Sequence, residues 1–366
     1  MTLIEQNYGN DWLNSLQKDY TRWQSVKTTH DPCPPGWKME EEGNPASTIN
    51  YAWKRSVRCI KETVTNPYSS TSDLDASSAS DLSRSGTANC YIVSRNGLYK
   101  FKAVKGNSTD SVGDISHCAL VWETLGTSST TKMTELIKEV SFNDEYIIFR
   151  TADEFKKGNA LIAAYDDRSN ILWSWHIWLT EQPGEHIHYN NAGIMMDRNL
   201  GAVSTAQGES GTGGLFYQWG RRNPLFPEDD DYMRATIEKP VVTAQQKADW
   251  GSSKTVADPC PVGWKVPQTS VWDKAVKKGL PMKVKFDKYN NGRNFGGKFG
   301  ADMKIWYGTH GHLISTFLHL SSGGGYWTST PSDGSFAYRL ELWQSKVILN
   351  KGYMTDGCSV RCCKEE

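Results

Sequence analysis

The sequence predicts a mainly β protein, a two-sheet β-sandwich followed by a glycine-rich α+β unit. Three observations lead there. Between residues 87 and 182 the chain runs through short β-branched and aromatic stretches separated by turn signals. Glycine (32 residues) and tryptophan (15 residues) are both abundant, the pairing of tight turns with rigid aromatic area found in β-rich binding domains. A pair of motifs also recurs near the two ends of the chain and marks out its organisation.

At 366 residues the chain has room for two or three domains and a sizeable core. Lys and Arg number 41 and Asp and Glu number 41, a balance that argues against coating nucleic acid or an anionic membrane. A hydrophobic share of 38% with 22% charged residues is globular and excludes wholesale disorder. No apolar run approaches the ~18 residues of a membrane span, and Met1 opens a polar segment without a signal-peptide profile. The expectation is a cytoplasmic protein, or one whose leader lies outside this fragment. Eight cysteines with no CxxC pair and no zinc-finger spacing point to structural thiols or disulfides, which favours the exported alternative.

Taken in order, residues 23–38 (WQSVKTTHDPCPPGWK) match residues 250–265 (WGSSKTVADPCPVGWK) at eleven of sixteen positions. Residues 56–62 (SVRCIKE) match 359–365 (SVRCCKE) at six of seven. Each copy thus opens with DPCPxGWK and closes with SVRCxKE. The marker cysteines Cys33 and Cys59 stand 26 apart in the first copy, against 102 for Cys260 and Cys362 in the second. Residues 1–62 therefore read as a truncated remnant that a Cys33–Cys59 bond could hold, too short for a core of its own. The stretch 63–86 reads as a Ser/Asp-rich linker, too polar to bury.

Residues 87–182 form the sandwich, with NCYIV, LYKFKAV, CALVWE, EYIIFRT, ALIAAYD and ILWSWHIWL as strands. Trp173 and Trp175 alternate onto one face of the last strand, and core packing is the expectation for them and for Trp178. Residues 183–366 form the glycine-rich unit, with one short helix around 270–279.

Candidate chemistry is sparse. His186 with His188 and His310 with His312 could grip a metal from one strand face. They lack a third ligand and lie in Gly- or Pro-rich stretches, so solvated loops are expected instead. Glu228 with Asp229, Asp230 and Asp231 lacks the spacing of a calcium loop and reads as a solvated turn. Metal and cofactor are thus both expected to be absent. There is no nucleophile elbow, P-loop or dinucleotide fingerprint, and the expectation is a non-enzymatic protein. Residues 326–356 differ, mixing Tyr, Trp, Ser, Asn and Asp on short strands and loops: stiff aromatic area beside adaptable hydrogen-bonding groups. Ser332, Asp333, Tyr338, Trp343, Gln344 and Tyr353 are the ligand-contact candidates.

The motifs MMDRNLGA (195–202), GGLFYQWGRRNP (213–224), DPCPVGWKVP (258–267), GGYWTSTP (324–331), AYRLEL (337–342) and CSVRCCKE (358–365) give the second unit a specific likeness. It resembles the Fibrobacter succinogenes major paralogous domain, which has a C-type lectin-like fold. TANCYIVS (87–94), YKFKAVKGNS (99–108), VWETLG (121–126) and ILWSWHIWLT (171–180) resemble the Ig-like, fimbrillin-type β-sandwich that accompanies it in Bacteroidetes surface and fimbrial lipoproteins. The resemblance covers roughly 87–366. It implies a Cys260–Cys362 disulfide and a ligand surface toward the end of the chain. Cys358 and Cys363 depart from the family's closing pattern; pairing with each other or with Cys118, and remaining thiols, all stay open. Cys90 is expected as a buried thiol.

The implied function is cell-surface or fimbrial adhesion to a surface glycan or a host or bacterial surface protein, with fimbrial subunits as further partners and no transmembrane segment. A structural fimbrial subunit, a diversified-ligand receptor and a formylglycine-generating-like enzyme using its cysteines are the rival expectations.

Overall fold

The computed structural model describes residues 37–39, 59–61, 74–126, 134–143, 145–188, 192–224, 250–276, 286–297, 300–310, 312–314, 317–319 and 323–365. Strands dominate them, as the sequence predicts. The first two, β1 (Trp37–Met39) and β2 (Cys59–Lys61), are the ends of the N-terminal repeat copy and pair antiparallel, Trp37 opposite Lys61. Cys33 lies outside the described residues, and with it the expected Cys33–Cys59 bond.

Among the described residues the sandwich contains eight strands: β3 (Ser80–Asp81), β4 (Cys90–Val93), β5 (Leu98–Lys102), β6 (His117–Thr124), β7 (Ile137–Phe142), β8 (Tyr146–Thr151), β9 (Gly158–Tyr165) and β10 (Ile171–Leu179). One sheet runs β4-β10-β9-β6 and the other β3-β5-β8-β7. Two corrections to the sequence reading follow. The expected linker over 63–86 ends before Leu74, which is already buried, and Ser80–Asp81 pairs in parallel with Tyr99–Lys100. Strand β7 was not expected, because Lys138, Glu139 and Ser141 dilute its apolar signal; only Ile137 and Val140 are buried on it, across a break in register.

The sheet β4-β10-β9-β6 is buried on both faces. Ala160, Ile162, Ala164, Trp173, Trp175, Ile177 and Leu179 face the sandwich core with Phe101 and Phe149. Cys90, Trp122, Leu161 and Trp178 face a second core, shared with Trp219, Trp250, Trp327, Cys260 and Cys362 of the C-terminal unit. Double burial explains why β9 and β10 read as continuous apolar runs instead of alternating. The core role expected for Trp173, Trp175 and Trp178 holds, although they serve two different cores.

The C-terminal unit comprises β11 (Glu185–Ile187), β12 (Ile194–Met196), β13 (Phe216–Gln218), β14 (Trp264–Lys265), α1 (Thr269–Val276), β15 (Phe286–Asp287), β16 (Gly292–Gly297), β17 (Gly300–Gly308), β18 (His312–Ile314), β19 (Phe317–His319), β20 (Gly323–Pro331), β21 (Phe336–Trp343), β22 (Val347–Tyr353), β23 (Gly357–Ser359) and β24 (Cys363–Lys364). A small sheet, β11-β12-β24-β14, brings the unit's first and last segments together. In it Trp264 lies opposite Lys364, the register that β1 and β2 repeat between Trp37 and Lys61. The truncated copy therefore keeps the clasp of the full one.

Beside that clasp Cys260 and Cys362 form a disulfide with Cα atoms 6.0 Å apart, closing a loop of 102 residues. Cys90, Cys118, Cys358 and Cys363 are buried thiols, which answers the open pairing. The larger sheet, β19-β18-β23-β20-β21-β22 with β13 paired to β23, carries the candidate ligand residues at one edge. Helix α1 lies near the expected 270–279 and packs Val271 and Trp272 toward β20, β21 and β22.

Chain-entropy arguments assign a closure of this length about 4–5 kcal/mol. Guanidinium unfolding of the reduced protein, or of Cys260→Ala/Cys362→Ala, should show a loss of unfolding free energy of that order. A loss under 1 kcal/mol would mean that the clasp sheet alone holds the two ends.

Candidate functional site

The hairpin of β21 and β22 fixes where the six candidate residues can point. Phe336 lies opposite Tyr353 and Tyr338 opposite Lys351, so these four side chains share one face. The same face continues as Leu340, Leu342, Val347 and Leu349, which pack with Trp272 near α1. Beyond the helix Phe336 and Tyr338 are half-buried, and Lys351 and Tyr353 are exposed. Tyr353 is 55% exposed and its ring lies 4.4 Å from that of Phe336, centroid to centroid.

The turn from β20 into β21 supplies Ser332 and Asp333. The Ser332 N–H donates to Phe336 O at 2.9 Å and the Phe336 N–H to Asp333 O at 3.1 Å. Gly334 takes φ +59, the left-handed conformation such a tight turn needs. Asp333 Oδ1 accepts from Lys351 Nζ and from Ser332 Oγ, both at 2.8 Å. The Lys351 ammonium and the Ser332 hydroxyl hold the Asp333 carboxyl down at about 2. Ser332, Asp333, Tyr338 and Tyr353 are thus brought together. Phe336 and Lys351 complete the patch; their two-residue spacing from Tyr338 and Tyr353 is the signal by which the sequence could have supplied them.

Trp343 and Gln344 lie elsewhere. Trp343 belongs to the opposite face of β21, its indole laid over Gly323, where a Cβ would come within 2.6 Å of the ring. Its Nε1 donates to Glu341 Oε2 at 3.1 Å, and Arg293 Nε donates to its carbonyl, also at 3.1 Å. Gln344 sits at the hairpin tip, exposed, its carbonyl accepting from Arg293 Nη2 at 2.8 Å. Seven residues of strand, roughly 24 Å, separate this tip from Tyr353. The six residues expected to form one patch therefore form two.

Behind the hairpin lies a buried ionic group. Arg339 Nε donates to Glu341 Oε1 at 3.0 Å and Arg339 Nη1 to Asp356 Oδ2 at 2.8 Å, with the guanidinium 5.9 Å from the Trp327 ring centroid. Glu341 also accepts from Asn350 Nδ2 at 3.2 Å. Gly352 makes room for the group, since a Cβ there would sit 2.7 Å from the guanidinium. Cys358 Sγ lies 3.6 Å from Arg339 Nη1, its thiol pushed up to about 12 by burial.

The recurrent motifs meet in a second buried hub. Arg361 Nε donates to Asn199 Oδ1 at 2.8 Å and Nη2 to Trp306 O at 3.0 Å, with the guanidinium 4.2 Å over the Tyr307 ring. His188 Nε2 lies 2.8 Å from Tyr307 OH, and His310 Nε2 lies 3.3 Å from Thr212 Oγ1. This corrects the solvated-loop reading for three of the four histidines: His188 is buried, and His186 and His310 are half-buried. Among the described residues, no group of three or more His, Cys, Asp or Glu is placed to hold a metal ion. Residues 228–231 lie outside the described residues.

No protein-family model, no curated protein and no solved structure matches the chain.

Arg339→Ala would leave Glu341 and Asp356 buried without their counter-charge. It should cost about 3–5 kcal/mol in urea unfolding at neutral pH, with part of the loss regained in acid as the carboxyls protonate. An effect below 1 kcal/mol would show the network to be dispensable.

Burial lowers His176 and His188 to about 3 and His310 to about 4, so in the folded state they stay neutral where the unfolded chain protonates near 6.5. Their contribution is present above pH 6.5 and is lost as pH falls toward 4 and 3. Glu123, raised to about 7 by burial, acts in the opposite sense between 4.5 and 7. Three groups outweigh one, so unfolding free energy should drop from pH 6.5 to 4, and His188→Gln should flatten that slope. A profile that rises toward acid would contradict the assignment.

Proposed function

We propose that this protein is a non-enzymatic binding protein of a bacterial cell surface or fimbrium. In this reading the β-sandwich is a Bacteroidetes fimbrillin-type module, and residues 183–366 are a C-type lectin-like domain of the Fibrobacter succinogenes major paralogous kind. The sandwich carries the second domain, and that domain presents the ligand face to a surface glycan or a surface protein. The observation that supports this best is the far end of the β21–β22 face: Tyr353 packed against Phe336 with its ring tilted by 34°, beside Tyr338 and the Asp333–Lys351 ion pair. Packed aromatic rings give stiff contact area that loses little conformational entropy on binding. The carboxylate, ammonium and phenol groups at its rim supply direction. Trp343 is held under Glu341 and Arg293, so its role is to fix the hairpin tip.

The full chain on an array of glycans and host glycoproteins, with and without EDTA, tests the reading. Binding should resist EDTA. It should fall about tenfold or more in Tyr338→Ala/Tyr353→Ala, the loss of roughly 1.4 kcal/mol or more expected for an aromatic anchor. Binding unaffected by that variant, or silence from the folded, oxidised protein, would overturn it.

A further inference from the structure

We propose that β22 (Val347–Tyr353) pairs edge to edge with β22 of a second copy of this chain, antiparallel about a two-fold axis at Asn350. The pairing goes beyond the ligand-binding reading and does not depend on it.

Among the described residues the outer edge of β22 has no backbone partner. The Trp343 N–H donates to Lys346 O at 2.8 Å and closes the hairpin. The antiparallel alternation then turns the N–H and C=O groups of Ile348, Asn350 and Gly352 toward β21, and those of Val347, Leu349 and Lys351 away from it. Among the described residues no strand lies on that outer side. Exposed edges are ordinarily guarded by bulges, charges, proline or brevity. The other edge strands of more than five residues, β6, β7 and β17, each show a break in register with their neighbour. Strand β22 runs seven residues in unbroken register with β21, without proline, and its one charge, Lys351, is drawn to Asp333.

The side chains fit a second copy of the same strand. Ile348, 39% exposed, and Tyr353, 55% exposed, lie on opposite faces of the sheet, so neither face alone covers both. A partner strand at the edge borders both. With Asn350 opposite Asn350, Ile348 faces Gly352 of the second copy, Tyr353 faces Val347, and Lys351 faces Leu349. No like charges oppose each other, and each bulky side chain meets a smaller one. Leu349 and Lys351 exchange N–H···O=C bonds with the second copy. Helix α1, which packs over Val347 and Leu349, is staggered from its counterpart because those residues lie opposite Tyr353 and Lys351. The Tyr353 and Phe336 rings stay on the sheet face, so the pairing sets two such platforms side by side.

Sedimentation equilibrium of the full chain should give a concentration-dependent rise from 41.1 kDa to twice that mass. Asn350 is exposed, and across the axis it forms a non-hydrogen-bonded pair, with Cα atoms roughly 4.5 Å apart, within disulfide reach. Asn350→Cys should therefore form a disulfide-linked dimer on oxidation, where Ile348→Cys and the unmodified chain do not. Lys351→Pro removes one outward donor and should shift dissociation at least tenfold, with Lys351→Ala the control for the lost ion pair. A monomer mass at every concentration together with no Asn350→Cys crosslink overturns the proposal. So does a dimer that crosslinks through Ile348→Cys instead, or one that Lys351→Pro leaves unchanged.

Discussion

The structure depends on one sheet being buried on both sides. Strand β10 sends Trp175 into the sandwich core and Trp178 into the core of the C-terminal unit, both fully buried. At about 25 cal/mol per Å² of apolar surface, side chains of that size make each face costly to expose. The two units therefore share their hydrophobic core, and the C-terminal unit is built onto a finished β surface.

Polar contacts set the alignment across that boundary. Asn89 Nδ2 donates to Val256 O and Asp258 O, and Asn107 Nδ2 to Thr255 O and Asp258 O, so two sandwich side chains grip the loop before Cys260. Asp258 in turn accepts the N–H groups of Cys260 and Val266, which shapes the DPCP turn and aims Cys260 at Cys362. Asn159 Nδ2 and Trp178 Nε1 reach Gly201 O and Ala202 O on the other side. Arg222 lies over the Trp173 ring at 3.5 Å. These contacts form between the two units only when they meet in register, which is how polar contacts give a shared core a single geometry.

The outer end of the distal hairpin stands apart from these buried contacts. The motif residues Asn199, Arg361, Trp327 and Tyr326 are consumed in packing or in buried hydrogen bonds. The side chains at the outer end of β21 and β22 carry little of the core. Substitution there changes a surface without disturbing the clasp.

Much of this was legible in the sequence. Short β-branched runs and turn residues carried the sandwich, and the repeated DPCPxGWK and SVRCxKE ends carried the clasp, whose strand register is the same in both copies. Local pattern sufficed because those features are written in neighbouring residues. The tertiary structure decided what depends on distant partners. It gave Trp173 and Trp178 different cores, buried His188 against Tyr307, and joined Ser80–Asp81 to a sheet despite its polar composition. It also split the candidate patch, because strand parity puts Tyr338 and Tyr353 on one face and Trp343 on the other. Composition can say that a segment is rich in contact residues; which of them meet is fixed by the register of a partner strand, and a sequence read one residue at a time does not contain it.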